Sequence, residues 1–220
     1  MKIIKVKPDS LAETIGIQSG DRLLKINGKR VIDELDYKFR MTEKNLVLEL
    51  EIDGQLDQIE VEKEYDDDLG VEFEEMKIRS CANDCVFCFV DQNPPNMRHG
   101  MYFRDGDYRM SYLYGHFITL TNMGQNELKR IVEQRLSPLY ISIHVTDTQL
   151  RQQLFLYNRD DNLLEKLKFL TENGIELHTQ IVLMPNINDK KYLLGTLNDI
   201  YPFYPILRTC TIVPVGLTKY

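Results

Sequence analysis

A chain of 220 residues with 43% hydrophobic content is long enough for one large or two small folded domains. No stretch approaches the roughly 18 consecutive apolar residues of a membrane span, and the start MKIIKVKPDS has no apolar secretory core. The net charge of −7 conceals no dense basic stripe, so neither a membrane nor nucleic acid is indicated as a partner. The chain has 4 cysteines. Three are clustered, which suits a reducing compartment better than a disulfide framework, and the cytoplasm is the expected location.

Residues 1–75 carry 11 Lys and Arg against 20 Asp and Glu, whereas residues 76–220 carry 16 against 14. The change falls where the cysteines begin and predicts two domains, 1–75 and 76–220. In the first, a strand over 2–6 leads into a helical turn opened by Ser10 as N-cap and closed by Gly16 as a left-handed cap. The next strand ends in an Asn27-Gly28 turn, and strands at 46–52 and 56–63 are joined at Asp53-Gly54. Such spacing implies a small, mostly β domain.

The string Ser10-Leu-Ala-Glu-x-x-Gly16-Ile-x-x-Gly20-Asp-x-Leu-Leu-x-Ile-Asn-Gly28 resembles a PDZ domain of the bacterial kind. Asp68-Leu-Gly-Val-Glu-Phe73 has the character of the carboxylate-binding loop that usually opens a PDZ domain, and here it comes last. The resemblance therefore implies a circularly permuted type. It also implies a peptide or protein ligand, added as a strand to a sheet edge, with Gly70 and neighbouring N–H groups around its terminal carboxylate. Asp66, Asp67 and Asp68 oppose this, because their charges repel a carboxylate, although Lys63 offsets part of the repulsion. Packing on the second domain without any ligand is the other reading.

The second domain begins with a short strand over 76–80, followed by Cys81, Cys85 and Cys88 in CANDCVFC. A polar-aromatic loop holds Tyr108 and Arg109, either covering a substrate or as ordinary surface. Then come a strand at 116–121, a helix at 126–134 with Leu128, Ile131 and Val132 on one face, and a strand at 139–144. A helix at 162–172 takes Asp160 or Asp161 as N-cap and Gly174 as its stop. A strand at 175–183, a helix over about 190–201 and a strand at 207–213 complete the run, with Cys210 read as a core residue.

Repeated βα units predict an α/β fold with a parallel sheet and helices packed outside. Ligands in such folds sit at the carboxyl ends of strands. That rule selects the cysteine loop, Thr119, Thr121 and Asn122, Ser142 and His144, His178 and Gln180, and the Val213-Pro214 corner. Each alone reads most simply as a satisfied polar group. Their recurrence at several strand ends is what points to a shared mouth.

Three thiolates in a C-x3-C-x2-C spacing can converge on one metal centre, one ligand short of the four irons of a cubane cluster. A closed zinc site would need a fourth ligand, for which His99 or His116 is the candidate. The spacing, with Phe87 before the last Cys, resembles the signature of the radical S-adenosylmethionine (SAM) enzymes. That resemblance implies a partial (β/α)6 barrel and a [4Fe-4S] cluster held by Cys81, Cys85 and Cys88. It also implies S-adenosyl-L-methionine bound at the remaining iron, with Phe87 beside the adenine. The implied activity is an oxidoreductase type: an electron donor reduces the cluster, SAM is cleaved, and a 5′-deoxyadenosyl radical takes hydrogen from an unknown substrate.

Ile141-Ser-Ile-His144 with Arg151, and Gln180-Ile-Val-Leu-Met-Pro-Asn-Ile-Asn-Asp189, resemble the third and fourth strands of that barrel. Ser142, Arg151 and Gln180 are thus candidates for ribose, adenine or carboxylate contacts. The Gly-Gly-Glu-type segment that holds the SAM amino group in many relatives is absent. Thr119-Leu-Thr-Asn122 stands at that strand end, making Thr119, Thr121 and Asn122 the candidate replacements. More narrowly, CFVDQ at 88–92, YFRDGDYR at 102–109, FITLTN at 117–122 and VPVGLTKY at 213–220 resemble a family joining a PDZ domain, a radical SAM core and a domain of unknown function, DUF512. Five strands against the six of a whole barrel imply an N-terminal fragment. The rival class is a non-catalytic PDZ adaptor whose cysteine loop holds zinc or a structural Fe–S cluster.

Overall fold

The computed structural model describes residues 1–218; Lys219 and Tyr220, which end the string 213–220, lie outside the described residues. The chain divides into two compact units, Met1–Lys77 and Ile78–Tyr220.

In the first unit, β1 (Ile3–Val6) is followed by α1 (Leu11–Thr14), with the Ser10 side chain accepting from the Glu13 N–H as expected of an N-cap. β2 (Arg22–Ile26) and β3 (Lys29–Arg30) are joined at Asn27-Gly28, where both residues have positive φ, the requirement of a two-residue hairpin turn. β4 (Asn45–Ile52) and β5 (Gln55–Glu62) turn at Asp53-Gly54 in the same way. The strands form a sheet in the order β3-β2-β4-β5, while β1 pairs antiparallel with β6 (Val71–Phe73) in a second, two-stranded sheet.

The alternating Leu46, Leu48 and Leu50 on β4, with Leu23 and Ile26 on β2, belong to the core of this unit. Each such side chain contributes about 1.5–3 kcal/mol on burial. α2 (Glu34–Arg40) has no counterpart among the expected elements. Asp33 caps it by accepting from the Asp36 N–H, and Tyr37 on its inner face meets Phe73 edge-on with ring centroids 4.9 Å apart.

In the second unit, α3 (Tyr108–Tyr114) and α4 (Gln125–Glu133) precede β7 (Leu139–Ser142). They are followed by α5 (Thr148–Phe155), α6 (Leu163–Glu172), β8 (Leu177–Leu183), α7 (Lys191–Ile200) and β9 (Leu207–Pro214). The three strands form a parallel sheet in the order β7-β8-β9, with α5 and α6 between the first two and α7 between the last two. This is the expected α/β architecture with helical crossovers. Among the described residues no helix is long and apolar enough to cross a membrane.

Two expected strands are reduced to single bridges. The 76–80 segment keeps only the antiparallel bridge Ser80 to Asp105, and the 116–121 segment only the parallel bridge Ile118 to Ile141. In the second case the break falls at Leu120, whose φ of +61° is a left-handed conformation that interrupts an extended run. The carbonyls turned out of the ladder are met by side chains instead. Thr119 O accepts from Arg151 Nη2 at 2.8 Å, Leu120 O from Lys166 Nζ at 2.7 Å and Thr121 O from the Tyr157 hydroxyl at 3.3 Å.

Candidate functional site

The cysteine loop runs without regular structure and is tied down at both ends. Cys81 N–H donates to Arg104 O at 2.7 Å, Asp84 N–H to Phe155 O at 2.9 Å and Val86 N–H to Leu154 O at 3.0 Å. Cys88 N–H turns back to Cys85 O at 3.0 Å. Arg104 adds side-chain bonds to Asn83 O, Asp84 and Asp91. Gly106 is required by this packing: a Cβ there would lie 2.6 Å from Cys81 Cα and 2.9 Å from Cys81 N.

Cys81, Cys85 and Cys88 are all free thiols of intermediate burial. Burial, then the charges of Cys81 and Cys88, pushes the Cys85 thiol up to about 12; burial likewise raises Cys81, with Cys88 adding to it. Each pair of the three is therefore close enough for one thiolate to disfavour another. Even so, among the described residues no three His, Cys, Asp or Glu side chains stand together as a ready-made metal site. Three soft donors on one short loop still suit iron–sulfur ligation in kind. The alternative fourth ligands are differently placed: His116 Nδ1 pairs with Asp105 at 2.6 Å, and His99 is exposed in a 3-10 turn.

Phe87 packs with Cys85 against the buried cluster of Val145, Leu154, Phe155 and Met184. Its ring meets His144 edge-on, centroids 4.7 Å apart. His144 is buried, and burial lowers its pKa to about 3, so the imidazole is neutral. Its Nδ1 accepts from the Val182 N–H at 3.0 Å, which leaves the proton on Nε2.

Several expected residues do come together. Asn83, between the first two cysteines, donates from Nδ2 to Thr119 Oγ1 at 2.8 Å, and Thr119 Oγ1 lies 2.9 Å from Thr121 Oγ1. Asn122 reaches Ser80 O at 3.4 Å, one residue before Cys81. Ser142, buried at the end of β7, stands in register with Gln180 on β8. Asn83 is absent from the residues selected on sequence, although an amide between two candidate ligands is an available signal.

Other expectations are corrected. Arg151 is only 3% exposed, and its guanidinium is spent on Asp161 and on the carbonyls of Ile143 and Thr119. Asp161 therefore serves Arg151 rather than capping α6, whose N-cap is Asn162. His178 lies near the start of β8, stacked on Tyr140 and bonded to Thr209, away from the carboxyl end. Tyr108 and Arg109 are not in a covering loop but open α3, with Tyr108 buried and accepting from Arg130 at 2.8 Å. Cys210 is half-buried on β9 opposite Thr179.

In the first unit, the loop expected to cradle a carboxylate already uses its donors. Gly70 N–H donates to Asp68 Oδ1 at 2.7 Å, Leu69 N–H to the Tyr37 hydroxyl at 3.3 Å, and that hydroxyl to Asp68 Oδ2 at 3.1 Å. Gly70 is itself fixed: φ is +78° and a Cβ would fall 2.4 Å from Ser10 Cβ.

The second unit thus combines a parallel α/β sheet with a three-cysteine loop, after a strand-rich first unit. Residues 63–210 match the family model of a Radical SAM-like domain, and residues 2–52 that of a PDZ domain. The chain belongs to the Radical SAM-like domain family. No curated protein matches it.

Proposed function

We propose that Cys81, Cys85 and Cys88 hold a [4Fe-4S] cluster and that S-adenosylmethionine binds at the iron they leave without a protein ligand. The observation that carries this reading is the set of three free thiols on one loop, beside Asn83, Thr119 and Thr121, in a chain of this family. When bound, the two groups would supply reductive cleavage of SAM and hydrogen abstraction by a 5′-deoxyadenosyl radical, an oxidoreductase-type activity.

The residues of the chain bind, orient and shield. Thr119 and Thr121, bonded in series to Asn83, and Asn122, bonded to Ser80 O, serve as contacts to SAM; Phe87 offers its ring to the adenine. Ser142 and Gln180, side by side across β7 and β8, are assigned to ribose or adenine. Arg151 works as a positioning residue, because it holds the Thr119 and Ile143 carbonyls at the two strand ends. Val145, Leu154, Phe155 and Met184 keep water from the Cys85 side of the loop.

A reductant is the partner this chemistry needs, and the cytoplasm the compartment that suits it. For the PDZ unit we assign capture of an extended peptide or protein segment along β6, which pairs only with β1 among the described residues. The strings shared with DUF512 proteins support placing the chain with that family.

Anaerobic reconstitution with iron and sulfide is expected to yield a brown protein with about four irons per chain. Cys81→Ala, Cys85→Ala and Cys88→Ala are each expected to lose most of that iron. A variant that keeps the full complement would contradict the ligand assignment.

A further inference from the structure

One side chain grips the cysteine loop from both ends. Arg104 Nη1 donates to Asn83 O at 3.2 Å and to Asp84 Oδ1 at 2.8 Å, within the spacing between Cys81 and Cys85. Its Nε and Nη2 form a fork on the two carboxylate oxygens of Asp91, three residues after Cys88. Its carbonyl accepts from the Cys81 N–H. All three guanidinium nitrogens are thus spent on the segment 83–91, a planar arrangement that an ammonium does not reproduce.

The same group brings charge to the thiols. Asp91 and Asp84, and after them Cys88, hold the guanidinium charged. Burial raises the Cys81 and Cys85 thiols, and Arg104 is a cation acting against it on both. Arg151 also interacts with Cys85, but Asp161 offsets its charge. Without Arg104, the carboxylates of Asp84 and Asp91 would stand at the loop uncompensated. A centre that gains an electron is easier to reduce beside a positive charge and harder beside negative ones. The Arg104 side chain is 31% exposed, so water and salt keep the effect modest.

We propose that Arg104 is a positioning residue for the cluster: its fork fastens the cysteine loop, and its charge makes the cluster easier to reduce. The proposal rests on the cluster reading above and adds to it the residue that sets the hold and the potential of that cluster.

The test is a redox titration of the anaerobically reconstituted full chain, followed by electron paramagnetic resonance, with the rate of iron release to a chelator measured alongside. At the potential where half the wild-type cluster is reduced, Arg104→Gln should show a reduced-to-oxidised ratio about three- to tenfold lower. That is a midpoint ~30–60 mV more negative, at about 59 mV per tenfold. Arg104→Lys keeps the charge and should stay within about twofold of the wild-type ratio. It loses the fork, and should release iron at least about threefold faster than wild type, as Arg104→Gln does. Asp91→Asn should shift the ratio upward, and it decides the charge role if Arg104→Gln fails to hold iron. A lysine variant shifted as far as the glutamine one would overturn the proposal. So would wild-type midpoints in both Arg104→Gln and Asp91→Asn, or wild-type iron release in both Arg104 variants. A wild-type chain that forms no reducible cluster would instead overturn the cluster reading, and this proposal with it.

Discussion

Two single residues set the conditions under which the cysteine loop can form. Gly106 touches the Cys81 backbone so closely that a methyl group has no room. Gly106→Ala should therefore cost about 1–3 kcal/mol, the usual penalty for overpacking, in urea unfolding of the unloaded chain. Gly100→Ala is the control, since a Cβ there meets nothing within 4 Å; equal losses in the two would contradict the account. His144 acts through its charge. Burial holds its folded pKa near 3 against an unfolded value of 6.5, so the unfolded chain gains this proton first on acidification. The contribution to stability is whole above pH 6.5 and is lost as pH falls toward 3, by about 1.4 kcal/mol per pH unit. His144→Asn keeps an acceptor for the Val182 N–H and tolerates the left-handed backbone, φ +59°. Its unfolding free energy should fall about 2–3 kcal/mol less than that of wild type between pH 6.5 and 4.5. Parallel pH profiles would show that His144 is not held neutral.

At the scale of elements, strong local signals were legible and tertiary ones were not. Ser10, Asn27-Gly28 and Asp53-Gly54 marked their cap and turns because the needed conformations depend on the residues themselves. The alternating apolar residues of β4 and the periodic face of α4 likewise announced their buried sides. By contrast, the 116–121 run looks like a strand in composition. Its left-handed Leu120 follows from Arg151, Tyr157 and Lys166 capping three successive carbonyls, partners 32 to 46 residues away in sequence. Helices α3 and α5 did leave marks: Asp107 and Asp147 as N-caps and Gly115 as a left-handed C-cap. Their aromatic and glutamine-rich interiors obscured the period. The three clustered cysteines and Thr119, Thr121 and Asn122 could be selected as candidates from the string, but the commitments of Arg151 and Asp68 appear only when distant groups meet. Asp68 carries a prediction of its own. Since it fills the Gly70 N–H, peptides with free C-termini should be retained by the full chain no better than their amidated counterparts. A clear preference for the free acid in pulldown would show that Asp68 yields its place.

For the whole molecule, the charge step between residues 1–75 and 76–220 falls within two residues of the division between the compact units, Met1–Lys77 and Ile78–Tyr220. A family relationship covering residues 63–210 explains the parallel sheet and the cysteine loop together. The central claim is that this loop supports SAM chemistry rather than a structural metal. Its most direct test is to incubate the reconstituted, chemically reduced chain with SAM and assay for 5′-deoxyadenosine. The account predicts that 5′-deoxyadenosine forms and that its formation is abolished by substitution of Cys81, Cys85 or Cys88. A colourless protein that retains stoichiometric zinc and leaves SAM intact would contradict it.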